Sequence, residues 1–195
     1  AETMTEITQI TTGIMPHGSR ISNDGLKQYS VAMMSGELYE VDAVSLKVSR
    51  VLKLDEMHMN HGDEMHMNHE NHMFHSKVQP TWVTPHPSEP KVYVTGNVSN
   101  EIIEVDTNEW KIIRRFKTAG KAPYNTDISS DGSHLVITLK GEGKTEIKNL
   151  KTGKSKIVNN TTKVSHGVII SPDNKFAFVS VEGIGGEPGK LDVID

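Results

Sequence analysis

The chain has 195 residues, a formal net charge of −4, 24% charged and 35% hydrophobic residues, and no cysteine. This fits one good-sized domain rich in polar turns, and it excludes disulfides and thiolate metal sites. The charge argues against a nucleic-acid binder, which would carry a basic face, and no run of about 18 apolar residues is present to span a membrane as a helix.

The first residues, AETMTEITQ, lack an initiator Met and begin with small and polar residues, as a mature exported protein does after signal-peptide cleavage. A periplasmic or secreted location is therefore expected. Residues 1–13 contain TEITQITTG, a β-prone stretch expected to form an outer strand that closes a sheet. Four segments then align without gaps: PHGSRISNDGLKQYSVA from Pro16, PTWVTPHPSEPKVYVTG from Pro80, PYNTDISSDGSHLVITL from Pro123 and SHGVIISPDNKFAFVSV from Ser165. The later starts lie 43 and 42 residues apart; the first two lie 64 apart, and removing the 21 residues 55–75 restores the common period. Residues 55–75 are therefore an insertion into a regular repeat.

Each repeat reads as four short strands. In the second these are TWVTPHP, KVYVTGN, EIIEVDT and KIIRRFKT, with alternating or β-branched composition. The turns NDG, SDG, PDN and KTG place Asp, Asn and Gly where tight turns require them. Four-stranded units of about 40 residues mark the blades of a β-propeller. The expected fold is all-β: a single propeller domain or fragment over 1–195, with blades starting near 16, 80, 123 and 165.

KVYVTGNVSNEIIEVDTNEWKIIRRFKTAG, followed later by SHGVIISPDNKFAFVSV, resembles the YVTN family of β-propeller repeats. The resemblance covers almost the whole chain outside the insertion. It implies the fold and says little of function. Commoner members of that family carry seven or eight blades, so the four repeats imply a fragment of a larger propeller, with two assembled copies, an additional chain completing the ring, or an unusual four-bladed ring as the alternatives.

In a propeller blade the first strand lines the central channel. The insertion joins the outer strand of the first repeat to the channel strand of the second, so it should emerge where the channel strands begin. His17 and His166 begin their repeats' channel strands, as PHG and SHG, and Thr81 and Tyr124 hold the matching positions. His86 falls at the opposite end of its strand.

The insertion, DEMHMNHGDEMHMNHENHMFH, holds six of the ten histidines and five of the nine methionines. Thioether sulfur is soft and suits Cu(I) or Ag(I), while imidazole takes copper in either state as well as zinc. The candidate metal ligands are Met57, His58, Met59, His61, Met65, His66, Met67, His69, His72, Met73 and His75, joined by His17 and His166. Copper is the expected metal, with silver or zinc as the other candidates. No G-x-S-x-G, HExxH or phosphate-cradling glycine loop is present, and no catalytic residue stands out.

Three functions fit. One is an exported copper-binding propeller that binds, buffers or delivers copper, with a copper-delivery or electron-transfer protein as partner. A second is a copper-dependent oxidoreductase with histidine-held copper at the channel mouth, a design that resembles nitrous oxide reductase and thiocyanate dehydrogenase. A third is a protein-interaction scaffold.

Overall fold

The computed structural model describes residues 4–55 and 76–195. The insertion and its Met and His candidates lie outside the described residues; only Asp55, its first residue, lies within them. The fold is the expected all-β propeller, built of successive antiparallel blades. Blade one comprises β1 (Pro16–Ile21), β2 (Lys27–Ala32), β3 (Glu37–Asp42) and β4 (Lys47–Lys53). Blade two comprises β5 (Pro80–Pro85), β6 (Lys91–Gly96), β7 (Glu101–Asp106) and β8 (Lys111–Lys117). Blade three comprises β9 (Pro123–Ile128), β10 (His134–Leu139), β11 (Lys144–Asn149) and β12 (Ser155–Asn159). Blade four contains β13 (Val164–Ile170), β14 (Ala177–Glu182) and β15 (Lys190–Ile194), so its sheet has three strands where the others have four. Residues 4–13, expected as an outer strand, form no strand in the structure.

The turns form for the reasons their residues supply. Gly25, Gly132 and Asn174 take positive φ in the predicted NDG, SDG and PDN turns. Ser22, Ser129 and Ser171 each accept an N–H from across the first turn of their blade, at 2.9 Å in all three cases. Blade two has His86 at that position. Its Nδ1 accepts the N–H groups of Ser88 and Glu89 at 3.2 and 2.9 Å, so the imidazole caps the turn in place of serine and aspartate. His86 is thus structural, and it sits at the end of the strand opposite His17.

Three apolar clusters join neighbouring blades. Val31, Leu38 and Leu54 of blade one pack on Val83, Val92, Val94 and Ile103 of blade two. Tyr93 and Ile102 meet Leu135, Ile137 and Leu139 of blade three, and Val136 meets Val168, Val179 and Val181 of blade four. Each blade therefore has a leading and a trailing face, and burial between them is the main stabilising term.

Candidate functional site

The starts of the channel strands come together as the sequence implies. His17 Nδ1 lies 2.7 Å from the Thr81 carbonyl, so this nitrogen carries the proton and donates. His17 Nε2 then accepts from the Tyr124 hydroxyl at 3.0 Å. Tyr124 meets His17 edge-on, with ring centroids 5.3 Å apart, and meets His166 at 4.6 Å. One phenol thus links the two predicted histidines. Burial, then the Glu182 carboxylate, raises the Tyr124 pKa, which keeps it the donor of that bond.

Backbone carbonyls fix the strands beneath. The Thr81 hydroxyl donates to the Tyr124 carbonyl at 2.8 Å, and the Thr138 hydroxyl donates to the His166 carbonyl at 2.8 Å.

Two charged residues escaped the sequence reading. Lys140 Nζ sits 4.2 Å over the Tyr124 ring and 3.7 Å from Glu182 Oε1. Glu182 Oε1 in turn lies 3.6 Å from His166 Nε2. In the repeat alignment Met33, Asn97, Lys140 and Glu182 are one position, just at or past the end of each blade's second strand. That alignment was the available signal. It also brings in methionines outside the insertion: Met33 N–H donates to the Met15 carbonyl at 2.9 Å, and Met34 lies next in the chain.

Burial, then the Lys140 ammonium, hold the His166 pKa below its ordinary 6.5, while Glu182 pulls it up. Folding therefore favours the neutral ring. That contribution is intact above 6.5 and is lost as pH falls through the depressed folded value. In an NMR titration Lys140→Met is expected to move the His166 midpoint up, and Glu182→Gln to move it further down; equal midpoints in all three proteins would show that these charges do not act on the ring.

The ends of the insertion are held on this same edge. Asp55 Oδ1 accepts from Ser76 Oγ at 3.2 Å and from Val78 N at 3.0 Å. Leu54 N donates to Gly36 O at 2.8 Å and Ser76 N to Met34 O at 2.9 Å. Leu54 and Val78 are buried on either side, and the chain then runs directly into β5, where Thr81 stands.

Among the described residues no three His, Cys, Asp or Glu side chains lie close enough to hold a metal ion. His17 and His166 alone do not make a complete site. His17 is nonetheless arranged as metal-binding histidines are: its Nδ1–H is spent on a backbone carbonyl, which leaves the Nε2 lone pair facing the mouth, at present on Tyr124.

Repeated four-stranded blades with channel strands side by side define a β-propeller protein. A solved structure similar to it is the hydrazine synthase of Kuenenia stuttgartiensis, with a TM-score of 0.76 and 19% identity, over 98% of this chain and 49% of that one. The likeness is one of fold, and the chain spans about half the length of that neighbour. No family model matches the sequence, and no curated protein does.

Proposed function

We propose that this YVTN-type propeller is an exported copper-binding protein, in which the Met/His segment 55–75 binds copper and passes it to the channel mouth. The observation that carries this reading is the pinning of the segment's two ends, at Asp55 and Ser76, to the edge occupied by His17, Tyr124 and His166. A segment rich in thioether and imidazole supplies soft, neutral ligands that hold Cu(I). Met15, Met33 and Met34 extend the same donor type along the edge on which it is anchored. The Lys140 ammonium and the Tyr124 phenol oppose resident metal at the mouth, one by charge and one by occupying His17 Nε2. That favours transient hand-off over a fixed centre.

The oxidoreductase reading is favoured by one observation, the convergence of His17 and His166 on a single tyrosine. A Cu(I) titration against a chromophoric chelator separates the two. The proteins compared are the intact chain, a variant with residues 56–75 replaced by a Gly/Ser linker, and the His17→Ala/His166→Ala double variant. Loss of nearly all copper with the segment is expected. Copper retained without the segment but lost from the double histidine variant would favour the oxidoreductase reading, and no uptake in the micromolar range would overturn both.

A further inference from the structure

At the end of the channel strands away from His17, the repeat is broken at one position. Arg20, Thr84 and Asp127 align there, each three residues beyond His17, Thr81 and Tyr124. Thr84 and Asp127 are short and bond to the blade that follows. The Thr84 hydroxyl donates to the Thr126 carbonyl at 2.8 Å, and Asp127 Oδ2 accepts the Ile170 N–H at 2.7 Å. Arg20 does neither. Its guanidinium lies 4.6 Å over the Trp82 ring and has no hydrogen bond or ion pair among the described residues.

Arg20 and Asp127 line one cavity of about 370 Å³, bounded by blades one, two and three. Ile21, Pro85, Pro87 and Ile128 form its apolar wall. The Asn23 amide donates to the Pro87 carbonyl and ties the first turns of blades one and two at the rim. Burial raises the Asp127 pKa, while the Ile170 and Ile128 N–H groups and then the Arg20 charge pull it back only in part. Two residues before Thr84 and Asp127, Trp82 Nε1–H and Asn125 Oδ1 are a buried donor and a buried acceptor with no partner among the described residues. A larger cleft between the first turns of blades one and two makes the contrast. Its cations Lys27, Arg50 and Lys91 are bonded to Asp42, Glu40 and Glu104. Arg20 is instead held flat on an indole, which leaves its N–H edges for a carboxylate.

We propose that this cavity binds a free α-amino acid with an apolar side chain, its carboxylate on Arg20 and its ammonium on Asp127. Opposite charges that face one cavity without pairing are matched by a ligand that carries both. A bare anion such as phosphate would satisfy Arg20 and be repelled by Asp127. A peptide has its charged termini on different residues and cannot offer both to this pair. Pro85, Pro87 and Ile128 receive the side chain, and the volume is that of a small-molecule site. The cavity lies at the opposite end of the channel strands from His17 and needs no metal.

Calorimetric titration of the chelator-treated full chain with leucine tests this, since chelation removes copper that would itself bind amino acids. Half-saturation below about 1 mM is expected, with N-acetyl-leucine, leucine methyl ester and phosphate each at least about tenfold weaker. Arg20→Met keeps the packing on Trp82 and should remove the advantage of leucine over its methyl ester. Asp127→Asn keeps an acceptor for the Ile170 N–H and should remove the advantage over N-acetyl-leucine. No leucine binding up to about 10 mM, or either blocked leucine or phosphate bound by the parent chain as tightly as leucine, would overturn the proposal. So would unchanged leucine affinity in both variants with circular dichroism intact.

Discussion

Arg50→Met is expected to lower the stability of the chain by about 3 kcal/mol, the low end of the range for breaking a buried ion pair because the arginine is itself a third exposed. Its partner Glu40 is 2% exposed in a strand whose next face is covered by blade two. Arg50 Nε donates to Glu40 Oε1 at 3.0 Å, and its terminal nitrogens reach the second carboxylate oxygen and the carbonyls of Thr107 and Asn108. The guanidinium also lies 4.6 Å over Trp110. One side chain therefore neutralises a buried carboxylate, caps a turn of the next blade and stacks on an aromatic ring. Removing it strands the carboxylate, which is the costly part. Glu40→Leu in the same chain should consequently recover most of the loss, and Arg50→Lys should recover little because an ammonium lacks the planar fork. Urea unfolding of the three variants checks this. A double variant as unstable as Arg50→Met would show that lost packing, not the stranded charge, sets the cost.

That pair also marks where the sequence stopped being legible. ELYEVD and EIIEVD read as third strands, and period-two alternation puts Glu40 and Glu104 on the face of Leu38 and Ile102 without saying what covers that face. In a propeller both faces of an inner strand are covered, so Glu40 and Glu104 are buried and each is matched by an arginine ten residues on. The blade period, the turns and the shared edge of His17 and His166 were readable because each depends on local spacing. Lys140 and Glu182 were not singled out, because their role depends on which blade lies beside which. Residues 4–13 form no strand among the described residues for a related reason: composition gives them a preference for extended structure, but a strand forms only with a partner, and they pair with none of the described strands.

Gly18→Ala is expected to destabilise the chain by about 1–3 kcal/mol, the cost of overpacking a tight contact, and to detach His17 from Tyr124. An added Cβ would lie 2.6 Å from the Thr81 carbonyl and 2.7 Å from Trp82 Cα, both backbone atoms of β5 that cannot rotate away. The same Thr81 carbonyl accepts the Nδ1–H of His17, the adjacent residue, so pushing β1 off β5 strains that bond first. The glycine of the PHG motif thus lets two channel strands approach closely enough for a histidine on one to be fixed by the other and aimed at a tyrosine on a third. In an NMR titration the His17 ring signals should move towards those of an unpartnered imidazole in Gly18→Ala. Gly167→Ala, with no strand against it among the described residues, should leave both His17 and stability nearly unchanged. If Gly18→Ala kept the His17 signals of the parent protein, the histidine would be held by Tyr124 alone, and the strand approach would play no part in shaping the mouth.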